Sequence, residues 1–229
     1  MAPIPRIVAR RLRLAALSAL GQGIARNSWA DPAGIAGTAR RALCVAVDIK
    51  NWSGRPVPEQ IQAQHALVTA VRTACAAAGL PGRFAQVNGD GVLVIAPSGI
   101  DETRAIPALI QGLRVALHHQ NRILSEGARA RLRVALTEGI IASGPAGVGG
   151  RAVIECFRLL NSPPVRQALD ESHAGDLAVI VSDHLYRDVI EHGFHGLPAY
   201  EFQPTDCSIP DKEFHTRAWV YAPGSAMAV

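Results

Sequence analysis

The sequence predicts an α+β fold, a sheet with helices packed against it, and three observations carry that expectation. Apolar runs of strand length alternate with longer stretches of helical period. Their order through residue 136 is strand, helix, two hairpin strands, helix, strand, which is the ferredoxin-like βαββαβ arrangement. The composition, 48% hydrophobic and 18% charged over 229 residues, suits one good core. The expected body is therefore a ferredoxin-like core, an antiparallel sheet with helices on one face, followed by extra C-terminal strands and helices over residues 42–222.

The elements follow in order. Residues 42–48 form an apolar run ending in Asp48, read as a buried strand. Pro58 opens a helix with Ile61, Val68, Val71, Cys75 and Ala78 on one stripe, and Gly79 and Pro81 close it. Residues 83–97 read as a hairpin around Asn88-Gly89-Asp90-Gly91, residues that tolerate the positive φ of tight turns. Its second run, Val92 to Ala96, is apolar without alternation, so both faces should be covered. A second helix carries Ile110, Leu113, Leu117 and Leu124, and residues 131–136 alternate as a strand. Asn161-Ser162-Pro163-Pro164 ends one helix and starts another, and residues 177–181 are a buried strand. Ser182 caps a short helix, and residues 200–203 and 217–221 are closing strands.

Charge separates an arm from this body. Residues 1–41 hold seven arginines and one acid, which is +6 against +4 for the whole chain and leaves −2 beyond residue 41. The basicity belongs to the arm, so the sequence predicts no nucleic-acid partner. Residues 6–20 suit a basic amphipathic helix able to touch a membrane surface. Arginines precede Leu14-Ala15-Ala16-Leu17 as in a signal peptide, but Ser18 and Gly21 break the run. No apolar run is long enough to span a membrane. Residues 223–229 read as a flexible tail. Cys44, Cys75, Cys156 and Cys207 are scattered without a Cys-x-x-Cys pair, which predicts small buried thiols in a reducing, cytoplasmic setting.

Two aspartates carry the chemistry. Asp48 ends the first strand and Asp90 tips the hairpin, and the βαββαβ order lays those strands side by side. Two carboxylates held by separate rigid strands make a site for a hard divalent cation beside phosphate oxygens. The reading needs both carboxyls close enough to share a metal cluster, and it fails if they stand too far apart or if either is buried in an internal ion pair. Other motifs carry less. Gly144 and Gly149 have P-loop spacing, but Gly150 stands where the lysine belongs, so residues 143–151 read as a hinge or a closely approached loop. His192 and His195 make no His-Glu-x-x-His motif, and His118 and His119 point to different helical faces.

On these residues the chain resembles the class III nucleotidyl cyclase catalytic domains. Val47-Asp48-Ile49-Lys50-Asn51-Trp52-Ser53 is similar to their first metal motif, and Gly89-Asp90-Gly91 to the second. Arg133 to Gly139 resembles the strand and glycine after the second helix, and Gly150 with Val153 to Leu159 resembles the helix carrying an arginine. The resemblance implies a head-to-tail homodimer converting a nucleoside triphosphate to a 3′,5′-cyclic nucleotide and pyrophosphate, a bacterial second-messenger enzyme. It implies two Mg²⁺ or Mn²⁺ ions at Asp48, Ile49 and Asp90, and a transition-state arginine at Arg158. Lys212 and Arg217 are candidates for the triphosphate, and Trp52 lies in the substrate-binding segment.

Three positions depart from the family pattern. Gln86 replaces the base-selecting lysine, Gly147 falls on the second base-selecting position, and Ile154 replaces the ribose-orienting asparagine. Ile154 offers no hydrogen bond, and losing a positioning contact costs on the order of 10²-fold in rate. These substitutions suit a pyrimidine-nucleotide branch of the family. They equally suit a catalytically lapsed module that binds nucleotide or dimerises.

Overall fold

The computed structural model describes residues 39–81, 86–145, 147–172 and 175–223. Arm residues 1–38, residues 83–85 of the expected hairpin and tail residues 224–229 lie outside the described residues. β1 (Arg40–Ile49) starts two residues inside the segment assigned to the arm. α1 (Val57–Ala77), β2 (Gln86–Asn88), β3 (Gly91–Ile95), α2 (Glu102–Asn121) and β4 (Leu132–Gly144) complete the βαββαβ order. β5 (Gly147–Gly149), α3 (Arg151–Leu160), α4 (Pro163–Glu171) and β6 (Leu177–Ser182) follow, then β7 (Gln203–Ile209) and β8 (Phe214–Tyr221).

The sheet runs β2-β3-β1-β4-β6-β8-β7, with β5 pairing back on β4. Its first four strands, β2-β3-β1-β4, put β1 between the hairpin and β4, as the ferredoxin-like order requires. Two expectations are corrected. The sheet is mixed, because β4 and β6 run parallel. Helices also cover both faces: Leu43, Val45 and Val47 meet the α1/α2 layer, while Cys44 and Ala135 lie under α3, whose Cys156 thiol donates to their carbonyls at 3.6 and 3.3 Å. Coverage on both sides explains why β1 is buried from Ala42 to Ile49 without alternation.

The core stripe of α1 also differs. Leu67, Ala70, Val71, Ala74 and Cys75 are buried, while Ile61 is exposed. Large apolar side chains set the sequence reading, but the contact with α2 is made by small ones. A Cβ on Gly112 would come within 2.8 Å of the Ala74 Cα, so the helices meet backbone to backbone. Leu124 lies past the end of α2, and β4 continues eight residues beyond the predicted strand. Ser143–Gly150, read as a loop, is largely the β4–β5 hairpin. Residues 199–201 form a 3-10 turn, and the edge strand begins only at Gln203. The Ser182 hydroxyl accepts from the Leu185 amide at 3.4 Å, as its capping role requires.

All four cysteines are free and buried. Burial pushes the Cys44 thiol up to about 12 and the Cys75 thiol up to about 11, and raises Cys156 and Cys207 in the same direction. The thiolate is the nucleophile, so iodoacetamide at pH 8 should leave the native protein unlabelled and alkylate all four after denaturation. Mass spectrometry reads the outcome directly, and rapid labelling of native Cys44 would contradict the burial. No helix among the described residues is long and apolar enough to cross a membrane.

Candidate active site

The site forms where the end of β1, the β2–β3 turn and the start of β4 meet. In register, Asp48 lies between Gly91 on β3 and Arg133 on β4. Gly91 has no room for a side chain there, since a Cβ would stand 3.0 Å from the Val47 carbonyl oxygen. The Ile49 amide donates to the Asp90 carbonyl at 2.9 Å and ties the hairpin tip to β1. Gln64 on α1 donates to the Gly89 carbonyl at 2.6 Å, and the Trp52 ring packs under Gly89. The tip that presents Asp90 is thus held from three sides.

Asp48 is not free. Arg133 Nε donates to Asp48 Oδ1 at 2.8 Å and Arg133 Nη2 to Oδ2 at 2.6 Å, with 14% of the arginine side chain and 12% of the aspartate side chain exposed. This is the internal ion pair that the two-carboxylate reading ruled out, so that expectation fails at Asp48 as the structure stands; Asp90 alone has no side-chain hydrogen-bond or ion-pair partner among the described residues. Burial raises the Asp48 carboxyl above its ordinary value, Arg133 works against that, and the charge of Asp90 adds to the rise. The pairing of Asp48 with Gly91 and the bond from the Ile49 amide to the Asp90 carbonyl place the two residues on neighbouring strands.

A cleft of about 350 Å³ opens at Asp90; Asp48 does not line it and meets it only through its neighbours Ile49 and Arg133. Ile49, Trp52 and Asp90 line it with Lys50, Arg133, Arg166 and Asp170. Lys50 pairs with Asp170, and Arg166 is held by Asn161 at 3.0 Å. Arg166 and Asp170 come from α4, which the sequence reading placed correctly but gave no role. No spacing signal links them to residue 48; only the packing of α4 brings them there.

No family model and no curated protein matches the sequence. Solved structures do match the fold. The guanylyl cyclase Cya2 superposes with a TM-score of 0.57 at 13% identity, over 85% of this chain and 97% of that one. An adenylate/guanylate cyclase/hydrolase from Silicibacter pomeroyi gives 0.57 at 17% identity, over 82% and 99%. The guanylate cyclase domain of RhGC from Catenaria anguillulae, solved in complex with GTP, gives 0.54 at 10% identity, over 83% and 100%. This is the class III nucleotidyl cyclase fold.

In the cyclase fold of this chain, the remaining candidate residues stand apart from the cleft. Arg158, in the last turn of α3, stacks over the Phe214 ring at 5.2 Å. Lys212 sits in the β7–β8 turn, and Arg217 lies 3.6 Å from Asp183 and over Trp219. Gln86 is exposed on β2 and bonds Asn88, Gly147 takes a φ of 122° at the start of β5, and Ile154 is 52% exposed on α3. None of the six lines the cleft.

Asp48 and Asp90 match a hard divalent cation in donor type alone, since no group of three or more His, Cys, Asp or Glu side chains able to hold a metal gathers among the described residues. Carboxylate oxygens suit magnesium or manganese. The Arg133 fork takes one lone pair from each Asp48 oxygen and leaves one on each, while Asp90 keeps all of its own. Arg133 is therefore a cation competing for Asp48.

Proposed function

We propose that the chain is a metal-dependent nucleotidyl cyclase, converting a nucleoside triphosphate into its 3′,5′-cyclic monophosphate and pyrophosphate. One observation carries the reading: Asp48 and Asp90 sit on neighbouring strands, joined by the Asp48–Gly91 pairing and the Ile49–Asp90 backbone bond, and Asp90 lines a cleft whose cations, Lys50, Arg133 and Arg166, suit phosphate. In the reaction the ribose 3′-oxygen forms a bond to the α-phosphorus, the bond to the β-phosphate bridging oxygen breaks, the hydroxyl proton leaves to solvent, and pyrophosphate departs.

Asp48, Asp90 and the Ile49 main chain would hold two Mg²⁺ or Mn²⁺ ions, whose chemistry is to favour ionisation of the 3′-hydroxyl and to neutralise the triphosphate. The protein's own contribution is placement. Trp52 and Gln64 fix the tip that bears Asp90. Arg166 faces the phosphates from α4. Arg133 neutralises Asp48 until nucleotide arrives, then exchanges the carboxylate for phosphate oxygens, which suit the same bidentate fork.

Arg158 does not reach the cleft of its own chain, so in this reading it acts from a second copy in a head-to-tail homodimer. Lys212 and Arg217 would serve the triphosphate, and Gln86 and Gly147 the base. The product would serve as a second messenger, and the buried thiols suit a cytoplasmic, reducing setting.

A second reading is a nucleotide-binding module that has lost turnover. The Arg133 fork on Asp48 and the exposed, apolar Ile154 favour it. Incubating the untagged protein with each of the four nucleoside triphosphates, with Mg²⁺ and with Mn²⁺, separates the two. Cyclic product and pyrophosphate from any combination supports the enzyme. Nucleotide binding without pyrophosphate in all eight combinations leaves the module.

A further inference from the structure

A second, larger cavity lies behind the β1–α1 loop and has no part in the cleft chemistry. It measures about 720 Å³ and shares Lys50, Asn51 and Ser53 with the cleft as a common wall. Arg55, Arg129 and Arg131 project into its lining beside Lys50, against two acids, Glu126 and Asp176. The lining thus carries four cations and two anions.

These cations differ in how they are employed. Arg131 is spent on the chain itself, donating to the Leu169, Ser172 and Gly175 carbonyls. Arg55 donates to the Arg129 carbonyl at 2.8 Å, and Lys50 pairs with Asp170. Arg129 has neither. Its Nε is buried without a hydrogen-bond partner, and no ion pair to its guanidinium occurs among the described residues. A buried, unsatisfied donor on a charged group is costly to keep, and native structures keep such groups chiefly where something else satisfies them. Neither Glu126 nor Asp176 does so, although both line the same cavity.

We propose that this cavity is a diphosphate site, with Arg129 as its principal ligand and Arg55 and Lys50 as its supporting charges. A diphosphate matches on chemistry: it is a compact polyanion whose oxygens accept the planar guanidinium fork, and the net-positive wall favours it. Its position deepens the proposed reaction, on which the choice of ligand rests. The wall shared with the cleft puts the site next to where cyclisation releases pyrophosphate. The occupant is the free product, since the phosphates of a bound nucleotide belong to the cleft.

Isothermal titration of the full chain with inorganic pyrophosphate, without divalent metal, tests the site independently of turnover. The wild type should bind, and Arg129→Gln should weaken binding by about tenfold or more, the loss of one charge-assisted contact. Asp90→Asn, which touches only the cleft, should leave pyrophosphate affinity unchanged or slightly tighter. Arg129→Gln should also melt no lower than wild type, because it removes a half-buried guanidinium whose Nε is left unsatisfied; a merely structural arginine would cost stability when removed. Arg129→Lys should retain part of the affinity, as a point charge without the fork.

An excess of ATP separates the cavity from the cleft. Pyrophosphate binding that persists beside ATP supports a site outside the cleft; full competition by ATP places the pyrophosphate in the cleft and overturns the proposal. Wild-type affinity in Arg129→Gln, no pyrophosphate binding by the wild type, or equal losses in Arg129→Gln and Asp90→Asn would overturn the proposal. Because metal and turnover are absent from the titration, failure of the cyclase reading leaves its outcome readable.

Discussion

Asp90→Asn is expected to lower cyclic-nucleotide formation by about 10²- to 10³-fold while leaving the fold intact, the scale seen when a single preorganised electrostatic group is removed from a reacting centre. The expectation comes from the unequal standing of the two carboxylates. Asp48 is committed to Arg133, whereas the Asp90 side chain carries no hydrogen bond or ion pair among the described residues. Its backbone holds the tip in place through the Ile49 amide, and the asparagine variant preserves that bond. The amide has the same shape without the charge, so the melting temperature should shift little, within about 0.5 kcal/mol of stability. Turnover with Mn²⁺ and circular dichroism on the same preparation are the measurements. An active Asp90→Asn protein would remove the metal reading altogether.

Arg133→Ala should have the largest effect on stability. Removing one partner of a buried pair leaves an uncompensated carboxylate, a loss of about 3 kcal/mol at the lower end of the usual range because Asp48 can take up a proton. For a domain of this size that is a fall of roughly 10 °C in melting temperature. The pH dependence fixes the cause. Burial already raises the Asp48 carboxyl, and without Arg133 it rises further. An acid with a raised folded value is most favourable to the fold below its unfolded value, about 4, and loses that contribution as pH rises through the folded value. The deficit of Arg133→Ala should therefore be small near pH 4 and grow toward pH 8. Adding Asp48→Asn to Arg133→Ala should restore most of the lost stability. A single variant that melts like wild type at pH 8 would show that the fork carries no weight.

Much of this architecture was legible because it rests on local patterns. The run from Ala42 to Asp48, the Asn-Gly-Asp-Gly turn and the double proline at 163–164 each specify their element through burial or turn chemistry alone. The misread places share another feature. Ile61 was assigned to the core for its size, yet the α1–α2 contact depends on Ala74 meeting Gly112, where small residues let backbones approach. Tyr200 to Gln203 has strand-like composition, but only Gln203 of the four is in the strand, which runs on to Ile209 against β8.

The amino-acid sequence by itself determined the βαββαβ order and the two strand ends that carry Asp48 and Asp90, because periodicity and turn residues act over a few positions. Only the tertiary structure decided that Arg133 grips Asp48, that α4 brings Arg166 and Asp170 over the carboxylates, and that Arg129 is left without a partner in a cavity of its own. Those facts depend on which strands lie side by side and which helix covers them, and no spacing along the chain encodes the direction of a side chain toward a residue 85 positions away.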